Sequence, residues 1–350
     1  MRLLKKLLPI SSEKIDKRPP VSISGSFPIT PLNNQKIEPP KYFFPNDNMI
    51  AEVLAEVEKA LHKLPVNSSA IIVSTGAILE QMAALGKKGP STIYAVDISP
   101  QQLHWLKFYV DSFSKISKLS FSKSKLNRKF SELIKIIKEL KGLRLNDLNS
   151  IFPQSQDELA FYEMSFLLEL LSKNNPFLDG PNSNEINKII VKNIIRRWNG
   201  FKNKMKKKHV FNSMDNFNRA KLFLKKKKIV IAQVDLFDTN QLTKLAQEAK
   251  PCSYWYLSNV AEWYNKRSEH KYPKKCFNKI PIQDKRVEDF KLHFSKNVKG
   301  SIAEGSIILS SRSFGNVAGT KVIQAASWNK YISCFSSKDF FDVFKNDKKK

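Results

Sequence analysis

Residues able to do chemistry gather at the ends of apolar runs in this sequence. Residues 69–100, SAIIVSTGAILEQMAALGKKGPSTIYAVDISP, place one apolar run (Ile71, Ile72, Val73) before a small-residue turn at Ser74, Thr75 and Gly76. A second run, Thr92 to Val96, ends on the carboxylate of Asp97. Open backbone N–H groups at the turn face an anionic group, and a carboxylate at the next strand end accepts from ribose hydroxyls, so the unit suits a nucleoside-bearing ligand. Two later runs end in a comparable way. IVIAQVDLFD closes on Asp235 and Asp238, and SYWYLSNVAEWY turns at Ser258 and Asn259, shortly before Glu262.

Each feature taken singly has a plain structural alternative. Asp97 can cap the following helix or end a strand, and Ser258, Asn259 and Glu262 can form a turn and a helix cap. The joint occurrence of Gly76, Asp97 and Asp235 at consecutive strand ends favours binding. His104, next to Trp105, reads as packed or solvated, and His62, His209, His270 and His293 show no metal spacing, so no metal site is expected.

The elements that must position these residues follow from periodicity. A helix is expected from about Asn48 to Leu64, then strand, helix (Ala77 to Leu85) and strand through residues 69–97, then a helix opened by Ser99 as cap and Pro100 at its first position. From about 114 to 226 helical spacing dominates, with Phe130 to Leu140, Leu159 to Leu171 and Ile186, Ile190 and Ile194 as successive apolar faces. Strands resume at Ile229, at Ser253 and at SIILSSRS, and Lys321 to Ala326 with Tyr331 to Phe335 can close as a pair. Residues 262–300 read as polar and mixed. The order βαβ, insertion, βα, βα, β and a terminal pair predicts an α/β fold: a doubly wound, Rossmann-like sheet, mostly parallel, finished by an antiparallel hairpin and interrupted by a helical insertion.

The expected organisation is a Pro-rich extended arm at 1–48, a first part of the Rossmann-like domain at 49–113, a helical, basic insertion at 114–227, a second part at 228–340 and a basic tail at 341–350. The chain has 350 residues, of which 41% are hydrophobic, so core size is not limiting. Its net charge of +28 asks for an anionic partner such as nucleic acid or a membrane surface, or else reflects lysine as the favoured surface residue. The basic tract 196–228 interleaves Trp198, Phe201, Phe211, Phe217 and Phe223 with lysines. It can track phosphates with stacked bases, attract anionic headgroups, or be a solvated lysine face over packed phenylalanines, and the last is the simplest reading. Exposure of the apolar insertion helices to lipid is the sharper reading of that segment, and burial the simpler one. Three scattered cysteines suit a reducing compartment, and MRLLKKLLPI lacks the apolar core of a signal peptide, so a cytoplasmic protein, with or without peripheral membrane contact, is expected.

These residues resemble a class I S-adenosylmethionine-dependent methyltransferase fold over roughly 50–112 and 228–335. The resemblance is carried by VSTGAIL, YAVDISPQQL, AQVDLFD and WYLSNVAEW after the four strands. Within that superfamily, the small-residue turn with AVDISPQQLHWLKF and a long helical insertion is similar to the enzymes of betaine-lipid synthesis, which transfer the 3-amino-3-carboxypropyl group to diacylglycerol. The resemblance implies S-adenosylmethionine as cofactor, with Ser74, Thr75 and Gly76 under its amino-acid part. It implies Asp97 on the ribose, Ile98 on the adenine, and Asp235 and Leu236 at the adenine edge. Ser258, with Asn259 and Glu262 as the nearest polar candidates for catalysis, is implied at the reactive centre. The family's turn usually carries two or three glycines; here Gly76 stands between Thr75 and Ala77. The expected function is a transferase of methyl or aminocarboxypropyl groups, with a lipid at a membrane surface as acceptor. The alternatives are an RNA-binding or RNA-modifying protein and a catalytically inactive relative acting in interactions.

Overall fold

Strands SAIIV, TIYAVD and KIVIAQ are apolar on both faces, as strands covered by helices on each side must be. The computed structural model describes residues 21–32, 38–40, 43–44, 64–73, 77–86, 89–116, 158–172, 174–178, 184–257, 285–312, 322–324 and 331–336, together with 51, 54–55, 58, 131 and 260. The elements are β1 (Val21–Ile23), β2 (Ser69–Val73), α1 (Ile78–Ala84), β3 (Thr92–Asp97), α2 (Pro100–Ile116), α3 (Glu158–Leu170), α4 (Asn184–Met205), α5 (Met214–Lys226), β4 (Lys228–Gln233), α6 (Thr239–Glu248), β5 (Cys252–Tyr256), α7 (Lys285–Val298), β6 (Ile302–Arg312), β7 (Val322–Gln324) and β8 (Tyr331–Ser336). Of the helices expected at Asn48–Leu64 and Phe130–Leu140, most residues lie outside the described set.

The strands form one sheet in the order β1-β4-β3-β2-β5-β6-β8-β7. The first six run parallel, and β8 pairs antiparallel with both β6 and β7. The chain begins its main path at β2, steps outward through β3 to β4, then returns to lay β5 on the other side of β2. That reversal is the topological switch point, and in open α/β sheets ligands bind outside the carboxyl ends of the strands at such a point.

Period-2 alternation divides the sheet residues between two cores. Ala70, Ile72, Ile93, Ala95, Ile229, Ile231, Tyr254 and Tyr256 face one way and pack with residues of α1 to α5. Ile71, Val73, Tyr94, Val96, Ala232, Cys252, Trp255 and Ile308 face the other way and pack with Leu242 and Leu245 of α6 and Phe290, Phe294 and Val298 of α7. The chain is therefore a doubly wound, Rossmann-like α/β protein.

The helical stretch between α2 and β4 shares the first of these cores. Phe166, Trp198, Phe201, Phe211, Phe217 and Phe223 are all buried there, α3 lies on α2, and α5 lies on α1 before running directly into β4. The aromatics of the basic tract thus sit under its lysines, as the simplest sequence reading expects. Lys227 is half-buried: its ammonium donates to the carbonyls of Leu85 and Gly89 at 3.2 and 2.9 Å, beyond the last turn of α1, and burial pushes its pKa down to about 8.

Two segments differ from the sequence expectation. Residues 11–48 read as an arm outside the packed fold, yet Val21–Ile23 pair in register with Ile229–Ile231 as the edge strand. Phe27, Ile29, Phe43 and Phe44 are buried beyond them, with Trp105 Nε1 donating to the Phe43 carbonyl at 2.7 Å. The prolines keep this segment extended, and the apolar residues between them are what anchor it. Residues 285–298, read as mixed and polar, form α7, because Phe290, Phe294 and Val298 recur at helical spacing on one face.

Candidate functional site

The carboxyl ends of β2, β3, β4 and β5 come together around the switch point. β2 ends at Val73 and α1 begins at Ile78; Ser74, Thr75 and Gly76 lie outside the described residues, as do Ser258, Asn259 and Glu262 after β5. Ala77 is described. It precedes α1 in the left-handed conformation, φ 47° and ψ 49°, with its carbonyl accepting from Gln81 N at 2.9 Å. A conformation that favours glycine is therefore taken by the residue following Gly76.

Asp97 is the last residue of β3, half-buried, and level with Gln233 at the end of β4. Its Oδ1 accepts from Ser99 N at 2.8 Å, and Ser99 Oγ in turn accepts from Gln102 N at 3.3 Å at the start of α2. Asp97 thus ends its strand and braces the turn that follows, Ser99 is the residue that caps α2, and the bond from Ser99 N orients the carboxylate. Ile98 follows, 46% exposed, one of six large apolar residues that stand exposed among the described residues. A partly exposed carboxylate beside an exposed aliphatic side chain is an amphipathic edge.

Asp235 lies just beyond the end of β4, next to Asp97 through a Val234 N to Asp97 O bond of 3.0 Å. Its Oδ1 accepts from Phe237 N at 3.0 Å, and its N–H donates to Gln241 Oε1 at 2.9 Å. The Leu236 side chain is 5% exposed and packed in the core with α6 and α7, while its carbonyl is 3.1 Å from His293 Nε2. Asp97, Ile98 and Asp235 are thereby brought to one edge; the Leu236 side chain is buried in the core instead.

Two polar groupings escaped the sequence reading. The first is a clasp at the same edge: Gln233 Oε1 accepts from both N and Oγ1 of Thr30, at 2.8 and 2.9 Å, and its Nε2 donates to the Ile98 carbonyl at 3.3 Å. The Thr30 carbonyl is 3.0 Å from His104 Nε2. The FPITP run spanning Thr30 was the available signal, since alternate apolar residues between prolines mark an anchored extended segment.

The second grouping lies within the aromatic core. Glu80 of α1 and His209 are both fully buried, with His209 Nε2 3.7 Å from Glu80 Oε1. Val210 N donates to Glu80 Oε1 at 3.3 Å, and Phe211 N donates to His209 Nδ1 at 3.1 Å. Desolvation pushes Glu80 up to about 8 and holds His209 well below its ordinary value, so both side chains are neutral near pH 7. Edge-on Trp198, Phe201 and tilted Phe211 surround the imidazole.

No family model matches this chain, and no curated protein matches it significantly. Solved structures similar to it include two of the rRNA methyltransferase AviRa from Streptomyces viridochromogenes. One shares 9% identity at a TM-score of 0.42 and the other 10% at 0.40, each match covering 87% of this chain and 90% of that one. The chain's own strand order is that of a Rossmann-like parallel sheet, with β8 inserted antiparallel between β6 and β7 at one end.

Proposed function

We propose that the protein is an S-adenosylmethionine-dependent transferase whose nucleoside site lies at the carboxyl ends of β2 and β3. The observation that carries this reading is the Asp97–Ile98 edge beside the switch point: a half-buried carboxylate held in place by Ser99 N, next to an exposed aliphatic side chain. A ribose offers hydroxyl donors to the first and an adenine ring offers an apolar face to the second. When bound, the sulfonium makes its attached carbons electrophilic, so the protein's task is to align an acceptor and exclude water. In this reading Ser74, Thr75 and Gly76 lie under the amino-acid part, and Asp235 with the Leu236 backbone borders the adenine edge. Ser258 binds the cofactor beside its sulfonium, and Asn259 and Glu262 are the polar candidates for catalysis there.

A polyanionic acceptor is supported by the exposure of Arg196, Arg197, Lys204, Lys207, Lys225 and Lys226. Burial of the interleaved aromatics leaves phosphate contact, rather than base stacking, as the means of attachment. RNA fits that chemistry; an anionic lipid surface is the rival source of phosphate, and no helix among the described residues is long and apolar enough to cross a membrane. Incubation with S-adenosylmethionine labelled in the methyl group or in the carboxyl group, with RNA or with diacylglycerol-containing vesicles, tests the reading. Methyl label on RNA is the expected result. Carboxyl label on lipid would redirect the proposal to aminocarboxypropyl transfer, and no label on either acceptor would contradict catalysis on both.

A further inference from the structure

The arm that precedes the main fold crosses the same edge of the sheet as Asp97. After β1 the chain stays bound to β4, with Ser24 N on the Ile231 carbonyl at 2.9 Å and Gln233 N on the Phe27 carbonyl at 3.2 Å. Phe27 and Ile29 are buried and Thr30 is exposed, with Pro28 and Pro31 between and beyond them. Proline removes backbone freedom on both sides of Thr30, so the strap is stiff where it passes the edge.

Thr30 is held by all of its polar groups. Its N–H and hydroxyl donate to Gln233 Oε1, and its carbonyl accepts from His104 Nε2 at 3.0 Å. The orientation of the Gln233 amide is fixed by its partners, because a backbone N–H can only donate and the Ile98 carbonyl can only accept. One side chain therefore ties the strap to the carbonyl of the residue that presents the exposed aliphatic face.

We propose that Gln233 is a positioning residue of the nucleoside site, setting the height of Ile98 by holding its carbonyl against the Thr30 strap. The inference rests on the transferase reading above and deepens it. Gln233 touches no ligand in this account; it acts through Ile98. Without the clasp, the turn after β3 keeps its Asp97 bond to Ser99 but gains freedom at Ile98, and the ring-packing surface is no longer preformed.

The test is calorimetric titration of S-adenosylhomocysteine and of adenosine into the wild type, Gln233→Met and Gln233→Glu, well below the thermal midpoint of each. Methionine matches the volume and removes every bond of the clasp. Glutamate keeps both bonds from Thr30 and sets a carboxylate oxygen against the Ile98 carbonyl in place of the donated N–H. Both variants are expected to weaken both ligands by the same factor, about fivefold, the size of one lost hydrogen bond. If Gln233→Glu binds as the wild type does while Gln233→Met is weakened, the strap alone matters and the inference fails. Wild-type affinity in both variants overturns it as well. A wild type that binds neither ligand removes the transferase reading itself, a result distinct from either of these.

Discussion

His209 Nε2 stands 3.7 Å from Glu80 Oε1, and solvent reaches neither side chain. Glu80 Oε2 and His209 Nε2 have no hydrogen-bond partner among the described residues, so burial keeps each group in its neutral form.

The pH dependence of stability follows from that pair. An unfolded glutamate releases its proton near 4.5 and the folded Glu80 near 8, so across that range the folded state holds the extra proton and stability falls as pH rises. For His209 the folded value lies well below 6.5, so stability falls as pH drops below 6.5, where only the unfolded chain takes up a proton. Below 6.5 the two slopes oppose one another, and between 6.5 and 8 only Glu80 acts. Glu80→Gln should therefore abolish a decline of up to roughly 1.4 kcal/mol per pH unit between those values while leaving the acid-side loss in place. Urea midpoints of both proteins across the range measure it.

Ala77 in its left-handed conformation sets a second expectation. Relief of about 1 kcal/mol of backbone strain in Ala77→Gly is offset by the loss of a buried methyl, about 0.8 kcal/mol, so that variant should match the wild type to within about 1 kcal/mol. Ala77→Val places a β-branched side chain at φ 47° and should cost at least about 2 kcal/mol. Thermal midpoints distinguish the two.

Glu163 accepts from Trp198 Nε1 at 3.0 Å and pairs with Lys202 Nζ at 2.5 Å, its own side chain only 2% exposed. Lys202→Met leaves that carboxylate without its cation and should destabilise by about 3 kcal/mol. Adding Glu163→Gln, which still accepts from the indole, should recover most of the loss. A double-mutant cycle in denaturant reads the coupling.

Core and surface of the basic tract should separate cleanly. Phe217 stacks on Tyr162 at 4.6 Å and meets Phe113 edge-on at 5.5 Å, so Phe217→Ala should cost about 3–5 kcal/mol. Charge reversal at exposed Lys225 and Lys226 should change stability by only about 0.5 kcal/mol each, and should reduce the salt slope of RNA binding by about one for each phosphate no longer neutralised. Fluorescence-monitored unfolding and binding at two salt concentrations check both halves.

Long apolar strands and their order were readable because residues such as Ile71, Ile72, Ile229 and Ile231 are buried on both faces, and Asp97 and Asp235 mark where those strands stop. β1 was not readable: three residues in a proline-rich segment carry no periodicity, and their pairing depends on the exposed edge of β4, some 200 residues away in sequence. The i, i+4, i+8 signal of Phe290, Phe294 and Val298 was present but diluted by intervening charge. Gln233, Thr30, Glu80 and His209 were invisible for a different reason. Their significance lies in partners far along the chain, which no local pattern encodes.

The transferase reading turns on whether the Asp97 edge holds a nucleoside, and calorimetric titration of S-adenosylmethionine into the wild type and Asp97→Ala measures that directly. The wild type should bind, and the variant should bind at least about tenfold more weakly, the loss expected for a hydrogen bond to a charged group. Equal affinity in the two proteins would contradict the role of Asp97, and no heat or thermal shift from the wild type at about millimolar ligand would contradict the transferase reading as a whole.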